Sequence, residues 1–165
     1  MNKPTKIITH HALSNKHSTV ADVDSWHKDR WPGFISVLGY HVGYHYVIEW
    51  DGTTTQTRRH HEEGAHTIGQ NTSSIGVCFM GNFDNHYPSE AQIAAWKSLY
   101  ARFDPMPVFP HRKYASYKSC HGKLLNDEYF AGHVKSQQRE KLIEQLKTLM
   151  ARLQVLINRR NNGQR

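Results

Sequence analysis

Residues 73–83 read SSIGVCFMGNF, and between Ile75 and Met80 the apolar run is interrupted only by Gly76. A strand with one wet face alternates apolar and polar side chains; this one is apolar on both faces, which predicts a central strand covered on two sides. Covering elements are legible on both flanks. In PSEAQIAAWKSLYARF (88–103) Ser89 and Gln92 have the spacing of a capping box, and Ile93, Trp96, Leu99, Tyr100 and Phe103 follow helical periodicity. In STVADVDSWHKDRW (18–31), Ser18 or Thr19 can cap a helix carrying Val20, Val23 and Trp26, which the Trp31-Pro32-Gly33 break then ends. KIIT (6–9) reads as a short buried strand leading into His10 and His11. YHYVIEWDGTTTQT (44–57) alternates around Asp51-Gly52 and predicts a hairpin closed by a type I′ turn. Helices and strands mix without a regular βαβ repeat, so the expected fold class is α/β: a single mixed β-sheet flanked by helices, with loops at one end available for chemistry.

From residue 134 the pattern changes. Leu142, Leu146, Leu149, Leu153 and Leu156 recur at spacings of four and three, and Ile143, Met150 and Ile157 widen the stripe. This predicts one long C-terminal amphipathic helix, and it divides the 165 residues into a domain at 1–133 and a helical appendage at 134–165. The charge follows the same division. Residues 1–133 hold 13 Lys and Arg against 12 Asp and Glu, whereas 134–165 hold 8 against 2, so most of the net charge of +7 belongs to the appendage.

Two cysteines, Cys78 and Cys120, are too few for a disulfide framework, and Cys78 lies in the apolar run where buried unpaired cysteines are found. No stretch is apolar for long enough to serve as a secretory core or to span a bilayer, so synthesis in the cytoplasm without a signal peptide is expected. The basic appendage has no aromatic or groove-reading pattern, and no nucleic-acid partner is expected.

Of the 13 histidines, position has to select those that do chemistry, since a metal site uses three or four at most. In FPHRKYASYKSC (109–120) a histidine and a cysteine flank a turn-forming stretch, and His10 ends the first strand. A hydrolytic zinc site takes three protein ligands and leaves a fourth position for water. His10, His111 and Cys120 form such a set, although spacing alone leaves a chance scatter of histidines open as the alternative. The wider pattern goes further. IITHHALS (7–14), GYHYVIEWDG (43–52), GAHTIGQNTSSIGVCFMGNF (64–83) and HRKYASYKSC (111–120), in this order and at these separations, resemble the zinc-dependent N-acetylmuramoyl-L-alanine amidases of the type-2 family, which includes phage endolysins and the animal peptidoglycan-recognition proteins.

That resemblance implies the type-2 amidase or peptidoglycan-recognition fold, Zn2+ as cofactor, and His10, His111 and Cys120 as its ligands. It implies Tyr44 and Lys118 as catalytic residues, with Lys118 offering a cation where charge develops on the scissile carbonyl and Tyr44 serving as base or as orienter. His66, Thr67 and Asn71 fall on the family's substrate-side loop. The implied activity is peptidoglycan hydrolysis between N-acetylmuramic acid and L-alanine, performed in the periplasm or wall by a monomeric endolysin. The alternatives are a non-catalytic peptidoglycan-binding module or a phage regulatory protein. Recognition-only relatives typically lack the cysteine ligand, and Cys120 is present here. One departure is local: relatives often carry proline after that cysteine, whereas this chain has His121-Gly122.

Other candidates have plainer readings. His11 is expected to pack or to bond backbone, His45 to face away from Tyr44, and RRHHEEG (58–64) to form a solvated turn. Trp26, Trp50 and Trp96 occupy core-compatible positions, and Trp31 beside Pro32-Gly33 is expected to pack in the core, with a groove wall as the alternative. The basic helix suits docking on the domain, self-association, or an anionic outer-membrane or lipopolysaccharide surface.

Overall fold

The computed structural model describes residues 2–103 and 105–162. The last three residues of the predicted C-terminal helix therefore lie outside the described residues. The elements run β1 Lys6–His11, α1 Val20–Arg30, β2 Tyr46–Ile48, β3 Thr54–Gln56, β4 Ser74–Phe79, α2 Glu90–Tyr100, β5 Val108–Pro110 and α3 Tyr129–Asn162. The strands form one sheet in the order β3-β2-β4-β1-β5. β4 pairs in parallel with β1 and β2, β5 in parallel with β1, and only β3 runs antiparallel, against β2. The continuous apolar run thus lies in the middle of a mixed sheet, and all six residues of β4 are buried.

The two faces of β4 do different work. Phe79 stacks on Phe130 at 4.2 Å and meets the edge of Trp96 at 6.0 Å, so one face is packed against α2 and the start of α3. Truncating a ring in this position costs about 3–5 kcal/mol. The indole N–H of Trp96 donates to the Phe130 carbonyl (2.9 Å), which satisfies the polar end of a fully buried side chain. Gln92, also fully buried, donates its amide to the Ile48 and Met80 carbonyls and ties α2 to the sheet. Across the sheet, Val23 of α1 joins Val42, Val47 and Met80 in a second cluster that Tyr44 packs against.

Both helix caps form where the sequence predicts them. Ser89 caps α2, accepting the Gln92 N–H at 3.0 Å, and Thr19 precedes α1 with its own N–H donated to the Asp22 carboxylate at 2.7 Å.

Four local expectations differ from the structure. The hairpin forms, but its turn is not type I′, which needs positive φ at both central residues; Gly52 alone has it, at 90°. Glu49 and Thr53 close a loop of three residues, with the Gly52 N–H donated back to the Glu49 carbonyl, and a Cβ on Gly52 would stand 2.8 Å from the Ala91 carbonyl oxygen. Trp26 is not a core residue, since 46 % of it is exposed. RRHHEEG is not simply solvated: Arg58 is buried and donates to the Val42, Phe34 and Glu63 carbonyls. Finally, the last helix begins at Tyr129, ahead of its leucine stripe, because Phe130 supplies an apolar anchor to the first turn.

The contacts divide the chain into two compact units, Met1–Ala131 and Gly132–Arg165. Along the second, Leu142, Ile143, Leu146, Leu149, Met150, Leu153, Leu156 and Ile157 are exposed. Among the described residues no helix is long and apolar enough to cross a membrane.

Candidate functional site

His10 projects from the end of β1, His111 opens a 3-10 turn directly after β5, and Cys120 ends the loop that follows. β1 and β5 are parallel neighbours, so their C-terminal ends carry the two imidazoles side by side, with centroids 4.5 Å apart. One ligand atom from each of His10, His111 and Cys120 falls within 4.8 Å of the others. The three residues are 2, 9 and 9 % exposed, on the floor of a cleft of about 670 Å3.

The loop that delivers Cys120 is fastened at several points. The Arg112 N–H donates to the Cys120 carbonyl (2.7 Å), and the Arg112 guanidinium donates to the Ser119, Gly122 and Leu125 carbonyls while pairing with Asp127. Asp84 accepts from the Ser119 hydroxyl (2.9 Å) and from the Lys123 N–H (2.8 Å). Gly122, at φ 126°, lies so close to Phe83 that a Cβ would be 2.4 Å from the phenylalanine Cβ. The thiol itself receives the His11 N–H at 3.4 Å and is 3.7 Å from His10 Nδ1.

That last distance tests a metal directly. A tetrahedral Zn2+ with bonds of about 2.3 Å to sulfur and about 2.0–2.1 Å to nitrogen holds the two donors about 3.5 Å apart. His10 and Cys120 fit that requirement, His111 brings its donor within 4.8 Å of both, and three protein donors leave a fourth position open. The protonation states agree. Burial and the neighbouring imidazoles hold His10 well below the ordinary imidazole value, and burial followed by the Lys118 ammonium lowers His111 to about 4. Both rings are therefore neutral and have a lone pair to give. Burial pushes the Cys120 thiol up to about 12, so a cation that takes it as thiolate must displace a proton.

His11 and His121 stand beside the trio but face elsewhere. The Phe83 N–H donates to His11 Nδ1, and the His121 ring is held between the Thr9 hydroxyl (2.6 Å) and the Asn126 carbonyl (3.1 Å).

The cleft walls bring in the remaining candidates. The Tyr44 ring lies 5.1 Å from His10 and 5.5 Å from His27. Burial, with the Cys78 and Cys120 thiols beside it, raises the Tyr44 phenol well above its ordinary value, so the group is a protonated donor at neutral pH. Gly43 lets this segment close up: its N–H donates to His27 Nδ1, and a Cβ there would be 2.5 Å from the Ala65 carbonyl oxygen. Lys118 lines the same cleft from the exposed side of the Cys120 loop. His66, Thr67 and Asn71 line the opposite wall, where Asn71 Oδ1 accepts the His66 and Thr67 N–H groups at 3.0 and 2.8 Å.

Trp31 lines the cleft and not the core, and His27, Arg30, Tyr114 and Tyr117 line it without having been selected from the sequence. The two tyrosines lie inside the HRKYASYKSC block, where flanking turn residues were the available signal. Nothing in the local sequence marks Arg112 or Asp84, whose side-chain partners all lie at 119–127 and meet them only when the Cys120 loop closes.

The family of N-acetylmuramoyl-L-alanine amidases matches residues 1–123. The chain is 36 % identical over 110 residues to the endolysin of Escherichia phage T7, covering 61 % of this chain and 68 % of that protein. It is 35 % identical over 85 residues to the endolysin of Klebsiella phage KP32, covering 48 % of this chain and 52 % of that one. With peptidoglycan-recognition protein SC2 of Drosophila simulans the identity is 33 % over 93 residues, 56 % of this chain and 50 % of the relative. The chain spans about half the length of the first curated relatives it matches. Among solved structures, N-acetylmuramoyl-L-alanine amidase LysC from Clostridium intestinale superposes with a TM-score of 0.65 at 24 % identity, over 82 % of this chain and 85 % of that one. Drosophila peptidoglycan-recognition protein SD gives a TM-score of 0.65 at 19 % identity over 76 and 78 %. These likenesses show the fold, and the match across residues 1–123 shows the lineage: the chain belongs to the type-2 N-acetylmuramoyl-L-alanine amidase family.

Proposed function

We propose that this protein is a zinc-dependent peptidoglycan amidase of the endolysin kind, hydrolysing the bond between the lactyl group of N-acetylmuramic acid and L-alanine. The observation that carries the reading is the donor set on the cleft floor: His10, His111 and Cys120 within 4.8 Å of one another, with Tyr44 and Lys118 in the walls above. A Zn2+ ion bound there would lower the pKa of water to about 7 and polarise the amide carbonyl.

The chain's own groups supply the rest. Lys118 brings a positive charge to the rim, where the carbonyl oxygen of a substrate lying in the cleft becomes negative in the transition state. Tyr44, held protonated by its surroundings, donates a hydrogen bond and orients the attacking water rather than acting as a phenolate base. Trp31, Thr67 and Asn71 give the cleft an aromatic wall and a polar wall, a combination suited to a sugar bearing a peptide.

The test is Cys120→Ser. Loss of a direct ligand is expected to reduce zinc affinity by more than the about 10- to 100-fold that outer partners control, and to abolish wall hydrolysis. Full activity with one zinc per chain in that variant would remove Cys120 from the centre.

The second unit supplies the partner beyond the wall. We infer that its basic helix lies on an anionic lipid surface of the host envelope. Its exposed apolar stripe is accompanied by Arg139, Lys141, Lys147 and Arg152 against two acidic residues, Glu140 and Glu144. Two such helices packed together would gather like charges, whereas phosphate headgroups neutralise them. The stripe at 142–157 rises about 24 Å, short of the roughly 30 Å of a bilayer core, which suits lying on the surface rather than spanning it.

A further inference from the structure

We propose that His66 is a positioning residue for the metal ligand His10, fixing which of its two nitrogens is free to bind, rather than a contact to substrate. The inference rests on the zinc reading above and deepens it. His10 turns Nδ1 toward Cys120 Sγ (3.7 Å) and Nε2 toward His66 Nδ1 (3.1 Å). A neutral imidazole carries one proton. If the Nδ1 lone pair is given to a cation, that proton resides on Nε2 and needs an acceptor. The described acceptors in reach are His66 Nδ1 and, at 3.5 Å, the Thr67 hydroxyl, which itself lies 3.0 Å from His66 Nδ1.

The surroundings of His66 point the same way. With Nδ1 accepting, its proton is on Nε2, a buried atom, and the Ser74 backbone serves the ring as a hydrogen-bond acceptor. The same burial keeps Nε2 away from any ligand in the cleft. Two glycines make the slot that holds the ring: a Cβ on Gly64 would be 2.5 Å from His66 Cδ2, and one on Gly76 would be 2.6 Å from the same atom. Gly76 thereby explains the single gap in the apolar run of β4. The ring is held nearly perpendicular to His10, at 84° and 5.1 Å, while Asn71 Oδ1 fixes its backbone.

The experiment measures zinc affinity by competition with a chromogenic chelator for the full chain and for His66→Leu and His66→Asn, and scores pelleting of each with purified peptidoglycan. The leucine variant is expected to bind zinc about 10- to 100-fold more weakly. The asparagine variant, whose amide oxygen can stand near the lost Nδ1, is expected to recover most of that affinity, and both should still pellet with the wall. Wild-type zinc affinity in His66→Leu, or normal zinc affinity with lost pelleting, overturns the inference and returns His66 to the substrate wall. Equal weakening in both variants overturns it as well, because ring shape and not an acceptor would then be what matters. Absence of zinc binding by the wild type would overturn the reading of the centre itself, and this inference with it.

Discussion

His45 is an imidazole with no exposed surface and both nitrogens engaged: Nδ1 accepts the Gly76 N–H at 3.1 Å and Nε2 donates to the Glu62 carbonyl at 3.1 Å. Burial lowers it from 6.5 to about 4. A proton taken up by the unfolded chain but refused by the folded one makes folding stability rise with pH. His45 therefore contributes its full stability above about pH 6.5, loses it as pH falls toward about 4, and changes little below that, with a slope of at most about 1.4 kcal/mol per pH unit. Thermal unfolding followed from pH 7.5 to pH 4 should show the midpoint falling through this window, and His45→Gln should flatten the fall. An unchanged slope in the variant would contradict the assignment. Side chains of this kind were only partly legible in the sequence. The alternation in YHYVIEW predicts opposite strand faces for Tyr44 and His45, yet both precede β2, which starts at Tyr46, and both rings lie near His66. Arg58 and Arg112 were not legible, since their partners are backbone carbonyls that only the folded chain brings together.

Among the elements, those with a strong internal pattern were the ones that could be read. β4 and α2 carry their own instructions, a continuous apolar run and a capping box. The turn after β2 follows instead from closure over α2, and the start of α3 from Phe130 stacking on Phe79, both of which depend on distant residues. The leucine stripe of α3 is legible as a pattern, and its partner has to be found by experiment. In the full chain, Leu146→Glu combined with Leu153→Glu should abolish co-sedimentation with vesicles of phosphatidylglycerol and phosphatidylethanolamine, while digestion of purified wall continues. The wild type should sediment with these vesicles, less so as salt is raised, and not with phosphatidylcholine alone. Failure of the wild type to bind, or binding that the two glutamates leave intact, would contradict a lipid partner; concentration-dependent dimerisation lost in the variant would assign the stripe to a second copy.

At the scale of the molecule, the site is a product of topology. Parallel pairing of β1 with β5 puts His10 beside His111, and a loop fastened by Arg112 and Asp84 carries Cys120 back over the end of β1. Local periodicity announces none of these approaches; the strand order β3-β2-β4-β1-β5 had to be seen. What connected the three proposed ligands in the sequence was the order of four motif blocks, which a shared fold maintains at fixed separations. The central claim is that this arrangement cuts the amide bond with zinc. The most direct measurement is the appearance of new L-alanine amino termini when the purified protein digests purified peptidoglycan, beside a chelated sample and one restored with zinc. The account predicts release that chelation abolishes and zinc restores. Wall binding without release in any of the three samples would contradict it and make the cleft a recognition site.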